Sequence, residues 1–134
     1  MDYCEWVEDQ RGKSPPMTDW ESIPAETVTD PQVSTHAGTV RKSWVGNNVV
    51  LTRVVVKPNS MGQMHVHPSE QVSMLVRGRV RVTLGEKEFI AETGAIVHIP
   101  GNVPHKFEIL DEEAEILDAY SLISSAEELR KSYV

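Results

Sequence analysis

The sequence predicts an all-β domain, a sandwich or barrel, with an extended arm before it and a short helix after it. From Thr39 onward the chain is a succession of short segments rich in β-branched residues, separated by turns that contain Gly or Pro. Before that point no apolar period of 2 or 3.6 is sustained, and prolines interrupt the chain. We therefore predict an arm over residues 1–35 and a β-barrel domain over residues 36–134.

The strands of this domain can be assigned in order. The first begins at Thr39, and segment 49–56 is the clearest because it is almost entirely β-branched and ends at a Pro-Asn-Ser turn. Further strands are predicted over residues 64–66, 71–76, 80–84, 89–91, 95–99, 106–110 and 114–122. A terminal helix is predicted over 125–130, with Ser124 or Ser125 as its N-cap and carboxylates in its first turn.

Composition limits the classes of partner. The 134 residues suit one domain, and thirteen basic against twenty acidic residues give a net charge of -7. That charge argues against binding nucleic acid or an anionic membrane. Cys4 is the single cysteine, so no internal disulfide can form and a reducing cytoplasm is the expected compartment. We identify no secretory signal and no apolar run long enough to span a bilayer.

Three histidines form the most informative pattern. His65 and His67 are two residues apart, so on a strand they project to the same face, where a divalent cation can accept a lone pair from each. His105, from a distant hairpin, is a candidate for a further ligand. The remaining ligand is Gln71 or Glu70; Gln71 has the same parity as the first two histidines and is the one we expect.

These segments resemble the two motifs of the cupins, Gly-x5-His-x-His-x3or4-Glu-x6-Gly and Gly-x5-Pro-x-Gly-x2-His-x3-Asn. The matching positions are His65, His67, Gln71 (where Glu is usual), Gly78, Gly94, Pro100 and His105. Asn59 and Asn102 stand where the motifs have Gly, and Ile109 stands where the second motif ends in Asn. The resemblance covers roughly residues 40–122. It implies a double-stranded β-helix, the jelly-roll barrel, with His65, His67, Gln71 and His105 as metal ligands.

Within the cupins the chain resembles small single-domain proteins of the pectin-degradation type, which convert unsaturated uronate sugars to linear ketonic forms. The shared segments are residues 65–71, 99–105 and 117–121. The resemblance implies that Asp118 and Tyr120 line the active site. The alternation of the last strand gives a separate argument, because a carboxylate between Ile116 and Tyr120 on one face is either at a rim or desolvated, and desolvation suits a general base. A surface position for Asp118 and a packing role for Tyr120 are the alternatives.

Two more polar residues are candidates for binding the substrate. Gln63 has the same parity as His65 and can hydrogen-bond a metal-bound ligand, or it lies at a rim. Arg53 interrupts an apolar strand and can pair with a substrate carboxylate, or with one of the chain's own acids.

The neutral amide of Gln71 would leave the full +2 charge on a single divalent transition metal and so favour anionic substrates. Fe, Mn, Ni and Zn all fit this donor set. We predict a metal-dependent enzyme that acts on a small oxygen-rich carboxylate, keto or sugar-acid metabolite by proton transfer, as an isomerase, cyclase or lyase. The alternatives are an Fe(II)-dependent dioxygenase and a non-catalytic small-molecule-binding cupin. Exposed strand edges, together with Trp6 and Trp20 in the N-terminal arm, predict a homodimer.

Overall fold

A computed structural model describes residues 3–28 and 38–121. Its helical elements are α1 (Tyr3–Gln10) and a 3₁₀ turn (Trp20–Ser22). The strands within these ranges are β1 (Glu26–Val28), β2 (Thr39–Val45), β3 (Val49–Val56), β4 (Gln71–Arg77), β5 (Val80–Leu84), β6 (Lys87–Ala91), β7 (Ile96–Ile99), β8 (His105–Ile109) and β9 (Ala114–Ser121). The terminal helix predicted over 125–130 lies outside the described residues.

Two antiparallel sheets form the barrel. One has six strands in the order β1-β2-β3-β9-β4-β7, and the other has three in the order β6-β5-β8. Buried and partly exposed residues alternate along β2, β3, β8 and β9, as expected of strands with one face on a core. Apolar side chains from both sheets meet in one cluster, which includes Val54, Leu75, Val82, Phe107 and Ile116. The predicted all-β jelly-roll is confirmed.

The long-range pairing places the last strand in the middle of the larger sheet. Strand β9 pairs with β3 on one side and with β4 on the other. Through this pairing Asp118 is opposite Thr52 on β3 and Ser73 on β4. The inner face of the six-stranded sheet therefore carries a row of buried polar side chains beside the apolar cluster. This polar row comprises Ser43, Thr52, Gln71, Ser73 and Asp118.

Residues 3–28 differ in part from the predicted extended arm. Residues 3–10 form α1, a helix too short to show a hydrophobic period, and the ion pair between Lys13 and Asp9 spans one turn at its end (3.3 Å). Residues 26–28 form β1, which pairs with β2. The Nε of buried Arg41 lies 2.6 Å from Oε2 of Glu26 and holds this edge strand in place. The prediction of an extended arm over residues 1–35 is therefore wrong for residues 3–10, which are helical, whereas residues 26–28 are extended and pair with the sheet. Residues 29–35 of that prediction lie outside the described part of the chain.

Two asparagines explain how this chain departs from the cupin glycines. Asn59 has φ 60° and Asn102 has φ 64°, in the left-handed region. Glycine reaches this region without steric cost, and asparagine is the residue that enters it most readily after glycine. Gly78, also in this region at φ 99°, is further constrained because a Cβ there would approach the backbone of Ala114 to 2.9 Å. The substitutions at 59 and 102 therefore preserve the backbone turns.

Candidate metal centre

Backbone pairing brings the distant histidines together. His65 lies in an irregular segment between β3 and β4 and His105 begins β8, and each donates its N–H to the other's carbonyl, at 3.0 and 2.9 Å. The strand predicted over 64–66 is thus reduced to an isolated bridge. The N–H of Asn102 donates to the carbonyl of His67 (2.8 Å), and a Cβ at Gly101 would overlap the carbonyl oxygen of Pro68. Only glycine therefore allows this loop to approach the His67 segment.

The three imidazoles form a compact group. Their candidate ligand nitrogens all lie within 4.8 Å of one another. His67 and His105 are buried and His65 is partly exposed. The ring centroid of His105 is 4.2 Å from that of His65 and 4.8 Å from that of His67. A group of this size can hold one metal ion.

The hydrogen bonds of the rings fix the tautomer that a metal needs. Nδ1 of His65 contacts the carbonyl of Gln63 (2.9 Å), Nδ1 of His67 contacts that of Ser69 (2.9 Å), and Nδ1 of His105 contacts that of Val103 (2.8 Å). A carbonyl oxygen only accepts, so each Nδ1 carries the proton and each Nε2 of a neutral ring carries the lone pair. Histidines that bind metals are oriented in this way by their second nitrogen.

The side chain of Gln71 approaches the imidazoles from β4. Its Oε1 lies 3.1 Å from Nε2 of His67, and its Nε2 donates to Oγ of Ser73 (2.9 Å) and to Oδ1 of Asp118 (3.3 Å). The amide oxygen and the imidazole nitrogen thus present lone pairs toward each other, an arrangement that a shared cation would stabilise. Glu70, the alternative ligand, is exposed and pairs with His98 (2.7 Å). The structure brings Gln71, and not Glu70, to the imidazoles.

His105 is suited to binding a cation at neutral pH. Burial lowers the pKa of its imidazole to about 4, with a further lowering from His65 and His67, against the opposing hydrogen bond to Val103. Its Nε2 is buried and has no hydrogen-bond partner within the described part of the chain. A neutral ring with an unsatisfied buried lone pair fits a divalent metal. The residues present therefore match the metal that the sequence predicts.

Asp118 lies directly behind Gln71. It is fully buried, and its Oδ1 accepts hydrogen bonds from Ser73 and Gln71. Oδ2 has no hydrogen-bond partner among residues 3–28 and 38–121. Burial raises the pKa of this carboxyl to about 6, although the hydrogen bonds from Ser73 and Gln71 oppose the rise. The side chain therefore has one oxygen held in place and one oxygen able to take a proton.

This raised pKa predicts how stability changes with pH in the metal-free protein. Between pH 3.8 and 6 the folded state keeps a proton that the unfolded chain loses, so the free energy of unfolding falls as pH rises. Asp118→Asn removes the titratable carboxyl and therefore its pH-dependent contribution to the free energy of unfolding. We expect the stability of the variant relative to wild type to rise by about 2 kcal/mol from pH 4 to pH 7.

Urea unfolding of both metal-free proteins across this pH range measures the difference. Ser43→Ala, a change in the same buried row that alters no titratable group, gives the baseline. A difference between Asp118→Asn and wild type that stays constant from pH 4 to pH 7 would contradict the raised pKa.

Tyr120 is buried on the same face of β9 as Asp118. The Oγ1 of Thr52 lies 3.5 Å from its hydroxyl, and Thr52 is also within 2.9 Å of the Ser43 hydroxyl. On the other side Tyr120 is opposite Gln71 in the register between β9 and β4. Tyr120 thus packs among the buried polar residues next to the three imidazoles.

The two residues predicted to bind substrate are placed differently. Arg53 lies on the opposite face of β3 from buried Thr52, and its Nε is 2.9 Å from Oε1 of Glu115. The structure therefore does not bring Arg53 to the histidines. Its strand is β-branched on both faces, so alternation in the sequence could not reveal which way it points. The side chain of Gln63 is exposed, and the observed contact is through its backbone carbonyl to His65.

Sequence reasoning missed Ser73. This serine is buried, accepts from Gln71 and donates to Asp118. The available signal was its spacing, because Ser73 follows Gln71 by two residues on a strand and must share its face. A polar residue there indicates that a second layer of hydrogen bonds lies behind Gln71.

Comparison with known proteins places this geometry in a family. A family model described as Cupin domain matches residues 52–120, slightly more than half of the chain. The chain belongs to the cupin family. Oxalate decarboxylase OxdC of Bacillus subtilis (strain 168) is 27% identical in an alignment 84 residues long that covers 59% of this chain and 22% of that protein. The chain spans 22% and 52% of the length of the two curated relatives it matches.

Solved cupin structures have the same fold. KdgF from Halomonas sp. superposes with a TM-score of 0.68 at 17% identity, over 81% of this chain and 94% of that chain. The polyketide cyclase RemF from Streptomyces resistomycificus superposes with a TM-score of 0.67 at 20% identity, over 80% and 79%. At identities this low, the superpositions establish the shared fold alone. Across the described ranges of this cupin, no helix is both long and apolar enough to span a bilayer.

Proposed function

We propose that this cupin is a metal-dependent enzyme that acts on a small oxygen-rich acid, a carboxylate, keto or sugar-acid metabolite, by proton transfer. The reaction is of the isomerase, cyclase or lyase type. The observation that carries the proposal is the convergence of three imidazoles and the Gln71 amide oxygen, with the buried carboxyl of Asp118 one hydrogen bond behind them. In this proposal His65, His67, His105 and Gln71 hold one divalent transition metal.

The donor set determines what the site can bind. Four neutral ligands leave the charge of the ion uncompensated, so the site favours anionic oxygen ligands. When bound, the metal supplies a Lewis acid that polarises a carboxylate or keto oxygen of the substrate. Four protein ligands would leave coordination positions of such an ion open to that substrate.

Asp118 moves the proton. Its Oδ2 accepts a proton from the carbon next to the polarised carbonyl and returns it at another atom, so bonds rearrange without an oxidant. Oδ1 stays bonded to Ser73 and Gln71, which keeps the carboxyl fixed during the transfer. Tyr120, on the same face of β9, is the second group proposed to carry a proton.

The names of the similar cupins agree with this class of reaction. OxdC is named as a decarboxylase of oxalate, a small dianion, and RemF as a cyclase of polyketides, which are rich in keto groups. The motifs shared with uronate-linearising cupins add unsaturated uronates to the candidate substrates. The homodimer and the cytoplasmic location stay predictions.

Turnover under anaerobic conditions tests the proposal. Metal-loaded protein is incubated in D₂O with unsaturated uronates and with 2-keto acids, and the products are followed by proton NMR. We expect turnover of one of these classes without oxygen. Solvent deuterium should be incorporated at carbon because Asp118 exchanges its proton with solvent. Both the turnover and the incorporation should be lost after chelation, because chelation removes the metal.

Each alternative gives a different outcome. Turnover that requires oxygen would replace the proposal with an Fe(II)-dependent dioxygenase. Ligand-induced stabilisation without turnover of any compound in the panel would identify a binding cupin. Reloading the chelated protein with Mn²⁺, Ni²⁺, Zn²⁺ or Fe²⁺ separately controls for damage caused by chelation.

A further inference from the structure

We propose that Ser73 and Asp118 lock the side-chain amide of Gln71 so that its oxygen, and not its nitrogen, faces the imidazoles. Ser73 and Asp118 are thus positioning residues for the metal centre, acting through Gln71. This inference rests on the metal centre of the proposed function, and metal binding tests it without any substrate.

The three side chains form a closed triangle of hydrogen bonds. Nε2 of Gln71 has two protons, and it donates to Oγ of Ser73 (2.9 Å) and to Oδ1 of Asp118 (3.3 Å). The single hydroxyl proton of Ser73 is donated to the same Oδ1. Every proton in the triangle therefore has an acceptor, and Asp118 is the group that only accepts through this oxygen.

Rotating the Gln71 amide by 180° breaks this arrangement. Oε1 would then face Oδ1 of Asp118 and the Ser73 oxygen, whose proton is committed to Asp118. The amide NH₂ would face Nε2 of His67 and occupy the side from which the ion is bound. All three members of the triangle are buried, so solvent does not compensate for the lost hydrogen bonds.

The fold makes the triangle rigid. Gln71 and Ser73 are two residues apart on β4, and Ser73 is directly opposite Asp118 on β9. The two strands are central in the six-stranded sheet, with neighbours on both sides. Each side chain of the triangle therefore projects from a backbone position that is fixed by strand pairing and not from a loop.

The lock also explains why Gln occupies the motif position where Glu is usual. A glutamate at position 71 would place a second carboxylate against Oδ1 of Asp118, where the amide now donates a proton. In this chain the carboxylate lies one hydrogen bond behind the ligand instead of serving as the ligand. The metal-binding oxygen stays neutral while its orientation depends on an acid.

Two variants of equal charge isolate the lock. Asp118→Asn keeps an oxygen that accepts from Ser73 and Gln71, whereas Asp118→Leu has nearly the same shape and no acceptor. Affinity for Co²⁺ is measured in chelated, refilled full-length protein by competition with a chelator, together with the visible absorption spectrum of the bound ion. We expect Asp118→Leu to bind Co²⁺ about 10- to 100-fold more weakly than Asp118→Asn.

A matched serine pair keeps the test decisive if the leucine variant does not fold. Ser73→Ala removes one member of the triangle, and Ser43→Ala removes a buried serine that bonds Thr52 (2.9 Å) instead. We expect weaker Co²⁺ binding and a changed spectrum for Ser73→Ala alone. Equal affinities within both pairs would overturn the lock. Absence of Co²⁺ binding by the wild-type protein would instead overturn the metal centre and the proposed function.

Discussion

Replacing His67 with alanine is expected to empty the metal centre while the barrel remains folded. The imidazole of His67 is buried, its Nδ1 is held by the Ser69 carbonyl, and its Nε2 lies beside the Gln71 oxygen. Its loss removes one of four proposed ligands and should lower affinity by more than about 100-fold, beyond what changes outside the ligand shell cause. Elemental analysis of protein purified without added metal should show about one ion per chain in the wild type and only background metal in His67→Ala.

The matched control is His98→Ala. His98 is exposed on β7 and pairs with Glu70, outside the group of three imidazoles. It should keep the wild-type metal content. Circular dichroism should show the β-rich spectrum for both variants, because the apolar cluster that includes Val54, Val82 and Phe107 does not involve either histidine. Full occupancy in His67→Ala would contradict the ligand assignment.

Asp118→Asn should abolish proton transfer without preventing substrate binding. The variant keeps an oxygen at the position of Oδ1 but loses Oδ2, which has no hydrogen-bond partner among the described residues and is the oxygen proposed to take the proton. General acid–base groups typically contribute about 10²- to 10⁴-fold to rate, so kcat should fall by about that factor while KM changes little. Steady-state kinetics with metal-saturated enzyme and the substrate found in the anaerobic screen measure the effect.

A carboxylate outside the site provides the comparison. Asp111→Asn removes an exposed acid from the loop between β8 and β9 and should leave kcat at the wild-type value. If Asp118→Asn retains kcat within a few-fold while fully loaded with metal, Asp118 is not the proton-transfer group and Tyr120 becomes the candidate to test.

Strand positions were predictable because they depend on local signals. The predicted segments 49–56 and 80–84 coincide with β3 and β5, where β-branched residues are bounded by turns. The strand predicted over 64–66 is absent because His65 pairs with His105 in an isolated bridge instead of a continuous ladder of hydrogen bonds. Strand β1 was missed because three residues carry too little pattern.

The pairing of strands could not be predicted, since nothing in the local sequence of β9 indicates that it inserts between β3 and β4. That insertion is what brings Asp118 beside Ser73 and Gln71. The parity that Gln71 shares with His65 and His67 favoured Gln71 over Glu70, and in the structure the Gln71 amide lies beside His67. The cupin motif implied His105, whose ring joins the other two imidazoles. Arg53 shows the limit of this reasoning, because β-branched residues occupy both faces of its strand and only the fold decides which way its side chain points.

The most direct test of the metal centre is a crystal structure of the protein loaded with Co²⁺, with anomalous scattering recorded on both sides of the cobalt absorption edge. We expect one anomalous peak per chain, within bonding distance of Nε2 of His65, His67 and His105 and of Oε1 of Gln71. A peak elsewhere, or one that engages Glu70 with Gln71 turned away, would contradict this account.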